Sequence, residues 1–150
     1  MTDTVFVLNG PNLNLLGSRE PRIYGTQTLA DIEATLEQRA KGLKLHLDMR
    51  QSNHEGVLVD TLQKHMDEVK GALLNPAGLT QHGVSLHDCI KAMPFPVIEV
   101  HLSNIAAREE WRHRSIISPA VRGTVQGLGW RSYTAALRTL VEIIREPKKA

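Results

Sequence analysis

Short apolar runs alternate with longer amphipathic stretches five times along the chain. The first run, Val5-Phe6-Val7-Leu8, is continuous in the manner of a strand buried on both faces. A polar loop with Asn9, Asn12 and Asn14 follows, then a second loop in which Gly17 and Gly25 bracket Arg19 and Tyr24. Thr28 with Asp31 three residues on reads as an acidic form of a capping box. Leu29, Ile32, Leu36 and Ala40 then share one helical face that ends near Gly42. Leu43, Leu45, Leu47 and Met49 alternate as a second strand. After Ser52-Asn53-His54-Glu55-Gly56, a helix carries Val57 or Leu58, then Leu62, Met66 and Val69. Ala72-Leu73-Leu74 is a third strand, ending at Asn75-Pro76. Residues 85–92 form a short helix, with Ser85 and Asp88 spaced as a second capping pair. Residues 97–100 are a fourth strand, 104–112 a short charged helix and 123–126 a fifth strand. Tyr133, Ala136, Leu137, Leu140, Val141 and Ile144 line the closing helix.

Repeated βα units with short apolar strands imply a parallel sheet covered by helices on both faces. The expected architecture is a single flavodoxin-like, doubly wound α/β domain over residues 1–150, with a five-stranded parallel sheet. Residues 1–3 and 146–150 are expected as flexible tails. In open parallel sheets the ligand crevice lies outside the carboxyl ends of the strands. Each strand here hands over to polar residues at that end: Asn9 and Asn12, Gln51 and Asn53, Asn75, His101 and Ser103, and Gln126. Singly, such residues are what turns and caps favour. As a set drawn from five separate loops they point to one site.

Composition narrows the classes. The 150 residues are 41% hydrophobic and 23% charged, an ordinary globular balance. The net charge of +2 comes without a Lys/Arg stripe interleaved with aromatics, which argues against nucleic acid. One cysteine, Cys89, allows no intramolecular disulfide and fits a reducing cytoplasm. No leader pattern and no membrane-length apolar stretch appear, so a cytoplasmic protein without membrane association is expected.

Several residues carry chemistry. Tyr24, between Ile23 and Gly25, is off any core spacing; it is either a packed loop aromatic or a base favoured as tyrosinate by Arg19 and Arg22. Glu99 and His101, two apart on a strand, point to one face. The carboxylate there holds the imidazole tautomer and favours a general acid, or the pair is simply a polar strand end. On a helix, Arg108 and Arg112 share a face and Glu110 pairs with Arg114; Arg112 is suited to grip oxygens in bidentate fashion. The seven histidines and Cys89 lack metal-ligand spacing. Gly123-x-x-x-Gly127-x-Gly129 is neither a Rossmann nor a Walker pattern, and no lysine falls at a strand end for Schiff-base chemistry. No metal and no cofactor is expected.

Long motifs then match in order: NGPNLNLLGSREPRIYG, QSNHEG, NPAG-T, PVIEVHLSNIAAREEWRHRS and SP-x-x-x-G-T-V-x-G-L-G-x-x-x-Y. From about residue 5 to 140 the chain closely resembles the type II 3-dehydroquinate dehydratases (type II dehydroquinases). The resemblance implies a flavodoxin-like subunit, a dodecamer built from trimers, and reversible dehydration of 3-dehydroquinate to 3-dehydroshikimate. The implied route is anti elimination through an enolate, without metal or Schiff base. By motif match, Tyr24 would be the tyrosinate base and Arg19 its lid partner. Asn12 would support the enolate through an ordered water, and His101, partnered by Glu99, would protonate the leaving hydroxyl. Asn75 and Arg112 would hold substrate hydroxyls, and Leu102 with Ser103 the carboxylate. Asp88 would reach a neighbouring subunit's site.

The match breaks at one place. The family usually reads N-x-x-x-x-T-H-x-S-V after the third strand, whereas this chain has Gln81 at the histidine and Gly83 at the serine. Gln81 is expected as a neutral hydrogen-bonding substitute that carries no proton or charge; alternatively His82 swings into the role. A weakly active or non-catalytic paralogue for a related cyclic polyhydroxy carboxylate stands as the second reading. The resemblance implies a step shared by shikimate biosynthesis and quinate breakdown.

Overall fold

The computed structural model describes residues 2–149. Strands β1 (Asp3–Asn9), β2 (Leu45–Gln51), β3 (Gly71–Asn75), β4 (Val97–His101) and β5 (Gly123–Gln126) form one parallel sheet in the order β2-β1-β3-β4-β5. The helices are α1 (Pro21–Tyr24), α2 (Leu29–Leu43), α3 (Glu55–Lys64), α4 (Val84–Ala92) and α5 (Arg131–Ile144). The continuous apolar runs become strands buried throughout in β3 and β4. Alternate residues of β1 serve opposite faces, as the pleat requires. Val5 and Val7 join Leu73 and Ile98 under α2 and α5, while Phe6 and Leu8 join Ala72 and Leu74 under α3 and α4. Each fully buried leucine, Leu36 and Leu137 among them, stabilises the fold by about 1.5–3 kcal/mol on leaving water. The result is the expected flavodoxin-like α/β architecture.

The sheet order reverses between β1 and β3, so the loops leaving these strands diverge and open a crevice at the carboxyl rim. The two loops also touch there. A Cβ on Gly10 would sit 2.7 Å from the Pro76 carbonyl oxygen, so only glycine permits this approach.

Several local expectations change. The Thr28–Asp31 capping box forms, with both reciprocal bonds at 3.1 and 2.9 Å. Leu43 closes α2 instead of opening a strand, because Lys44 turns the chain at a φ of 55°. α3 stops at Lys64, and Met66 and Val69 pack on the core from the loop that turns back toward β3. The Ser85–Asp88 cap does not form: α4 begins at Val84, so Ser85 lies inside it, and the Leu86 N–H donates to the Glu55 carboxylate instead (3.1 Å). Residues 104–112 are two 3-10 turns, Ile105–Ala107 and Glu110–Arg112, not one helix. Ile105 is pinned to the sheet by its buried side chain and by its N–H donated to Gln126 Oε1 (3.0 Å), and Arg108 is extended. Arg108 and Arg112 therefore share no helical face, and Arg112 pairs with Glu109 (2.7 Å) in place of the expected Glu110–Arg114 pair. β1 already includes Asp3, which shortens the expected N-terminal tail. Met1 and Ala150 of the expected tails lie outside the described residues.

Candidate active site

A crevice of about 320 Å³ opens at the carboxyl rim. Asn12 from the loop after β1, Arg19 and Tyr24 from the segment carrying α1, Asn75 and Gln81 from the β3 side, and His101, Leu102, Ser103 and Arg112 from the β4 side all line it. Of the site residues implied by the family resemblance, Glu99 and Asp88 stay off its wall. Glu99 lies directly behind His101; Asp88 is exposed on α4 beside His87. The loops after β2 and β5 do not reach the crevice as expected. Gln51 donates to the Gly10 carbonyl (3.2 Å), and Asn53 Oδ1 accepts the Asn12 N–H (3.0 Å), which holds Asn12 in a left-handed conformation at φ 68°. Gln126 is spent on Ile105.

The rim wall is built on the Glu99–His101 pair. Glu99 is fully buried, and its Oε2 lies 2.5 Å from His101 Nε2. The strand spacing forecast this contact; the rest of the carboxylate's shell was not forecast. Thr80 Oγ1 donates to Oε2 (2.5 Å), Ser118 Oγ donates to Oε1 (2.7 Å), and Ser115 Oγ lies 3.2 Å away. Burial pushes the Glu99 carboxyl up, but the His101, Thr80 and Ser118 hydrogen bonds outweigh it and hold the group below its ordinary value. Glu99 is thus a fixed anion that orients the His101 imidazole.

The lid wall carries Tyr24, half-buried at the end of α1. Two guanidinium groups flank its ring: Arg19 at 4.8 Å and Arg108 at 5.1 Å from the centroid. Arg108 reaches this place because the chain is extended there, and it also donates to Ser103 Oγ (3.4 Å). Its role was missed because a helical reading aimed it elsewhere. Arg19 and Arg108 thus place two positive charges beside the Tyr24 ring.

Position 81 departs from the histidine pattern without leaving the crevice. Gln81 Nε2 donates to the Arg112 carbonyl (3.0 Å), so the amide braces the segment that presents Arg112. His82 also lines the crevice and is exposed. Gly83 has an ordinary φ of −80°, so its value is space, not backbone freedom. A Cβ there would meet the Glu55 carboxylate at 2.9 Å and the Leu79 carbonyl at 2.8 Å. The Glu55 oxygen fills the place a serine would need, and caps α4 from there. Among the described residues no three His, Cys, Asp or Glu side chains gather as metal ligands, and no helix is long and apolar enough to cross a membrane.

Comparisons with known proteins identify the family. The family model described as dehydroquinase class II matches residues 3–141. The 3-dehydroquinate dehydratase of Rhizobium meliloti (strain 1021) is 52% identical over 148 residues, 99% of this chain and 100% of the relative. The 3-dehydroquinate dehydratase of Herpetosiphon aurantiacus is 48% identical over 92% of this chain and 96% of its own length. In three dimensions, the type II dehydroquinase of Propionibacterium acnes superposes with a TM-score of 0.90 at 41% identity, covering 94% of this chain and 97% of that one. The chain belongs to the class II dehydroquinase family.

Proposed function

We propose that this chain, as one domain, is a hydro-lyase that reversibly dehydrates 3-dehydroquinate to 3-dehydroshikimate by anti elimination through an enolate. The observation that carries the reading is a single crevice receiving a phenol between two guanidinium groups and an imidazole backed by a buried carboxylate. Tyr24, as phenolate, takes the C2 proton, and the electron pair moves into the enolate. Asn12, through an ordered water, supports the developing oxyanion. Imidazolium His101 gives its proton to the departing C1 hydroxyl, which leaves as water as the enone forms. Tyr24 is then a phenol and His101 neutral; Tyr24 releases its proton to solvent and His101 takes one up, which restores both.

Asn75 and Arg112 hold substrate hydroxyls. The Leu102–Ser103 backbone and the Ser103 hydroxyl bind the carboxylate, with Arg108 adding positive charge beside Ser103. Gln81 serves the site as a neutral donor. The chain assembles as a dodecamer of trimers, and Asp88, off its own crevice and exposed, serves a neighbouring subunit's site. The cytoplasm is the compartment this chemistry fits. Purified protein given 3-dehydroquinate is expected to generate the conjugated enone absorbance. Assembled protein that binds the substrate and forms no enone favours the non-catalytic paralogue and overturns the proposal.

A further inference from the structure

Three buried side chains distant in sequence meet beneath the crevice. Tyr133 Oη lies 2.6 Å from Asn9 Oδ1 and 2.8 Å from Asn75 Nδ2. Tyr133 and Asn9 are fully buried, and Asn75 is 3% exposed. The direction of the chain of bonds follows from one obligate donor. The Ala77 N–H can only donate, and it donates to Asn75 Oδ1 (3.0 Å). Asn75 Nδ2 therefore faces Tyr133, whose oxygen accepts there and whose proton goes to Asn9. Asn9 Nδ2 is left without a partner among the described residues, so the arrangement costs free energy that the fold carries. Burial raises the ionisation of Tyr133 far above that of an ordinary tyrosine, so the hydroxyl remains a neutral relay and not a base. The same bonds hold the turn at Ala77, which has a left-handed φ of 51°.

We infer that Tyr133 is a positioning residue: the Ala77 N–H sets the sense of the Asn75 amide, and the Tyr133 hydroxyl anchors its Nδ2 end, so that Asn75 is held in one place on the β3 wall of the crevice. This inference rests on the dehydratase reading, with Asn75 on the substrate. Tyr133→Phe removes only the hydroxyl. It is expected to raise KM for 3-dehydroquinate about tenfold, because one amide anchor is lost, while kcat moves less than about threefold. In an Asn75→Ala background the same change is expected to move KM less than about twofold, since its route to substrate is gone. A purely structural hydroxyl would lower Tm and the active fraction and leave KM in place.

Unmoved KM in Tyr133→Phe, or the full tenfold effect in the Asn75→Ala background, overturns the inference. If Asn75→Ala itself leaves KM unmoved, the reading of Asn75 on substrate falls and the inference falls with it. Should Tyr133→Phe not fold, Asn9→Leu deletes the acceptor of the tyrosine proton at similar volume. It is expected to raise KM roughly threefold, and no rise overturns the inference.

Discussion

His101 reaches the crevice from a wall whose supporting oxygens are buried, whereas Tyr24 reaches it from a wall held by guanidinium–ring contacts. On the rim wall, Glu99 has four side chains around it and no exposed surface. On the lid wall, Tyr24 is half-buried and Arg19 pairs only loosely with Glu20 at 3.8 Å. Buried, saturated hydrogen bonds fix one geometry, and half-exposed cation–ring contacts allow an element to open and close. On the proposed reading, the proton donor is built into the fold, while the base sits on the less constrained wall.

The largest expected effect breaks the lid wall. Tyr24→Phe should lower kcat by roughly 10²–10⁴, the range of a lost general base, with Tm nearly unchanged because the ring stays. A steady-state enone assay beside a thermal melt checks both. Arg108→Met should lower kcat about tenfold or more by removing one of the two guanidinium groups at the Tyr24 ring, and an equal loss in a Tyr24→Phe background would sever the link between them.

Glu99 tests the rim wall. Its carboxyl is depressed below the ordinary 4.5 in the folded protein. Its stabilising contribution is thus complete above that value and is lost as pH falls through the lower folded one. Urea midpoints of the wild type should fall more steeply between about pH 5 and pH 3 than those of Glu99→Gln; parallel curves would remove Glu99 from the acid sensitivity. The smallest effect concerns the departure at position 81. Gln81→Leu should raise KM only about 2–10-fold, the weight of one neutral hydrogen bond acting through Arg112. Gln81→His, which keeps a donor, should stay within about twofold.

How much of this was legible follows from the range of each interaction. The strands β1, β3 and β4 showed themselves as short apolar runs and β2 by its alternation, and the Glu99–His101 pair because two residues on one strand share a face. Thr28 and Asp31 formed their box because both partners are local. Arg108 was misplaced because helical periodicity was assumed where Ile105 is pinned by Gln126, a residue of another strand. The Ser85–Asp88 cap lost to Glu55, which arrives from α3. Tyr133 looked like a core aromatic at helical spacing; its bonds span 124 and 58 residues, and no local pattern encodes them. The bracing of Arg112 by Gln81 uses a backbone carbonyl, which leaves no mark in side-chain identities.

The division of labour between the walls is tested most directly by deuterium wash-in at C2 of 3-dehydroquinate in heavy water. His101→Ala should exchange the C2 proton while forming almost no enone, because the base remains and the acid is gone. Tyr24→Phe should do neither. Exchange by Tyr24→Phe at the rate of His101→Ala would contradict the assignment of the base to the lid.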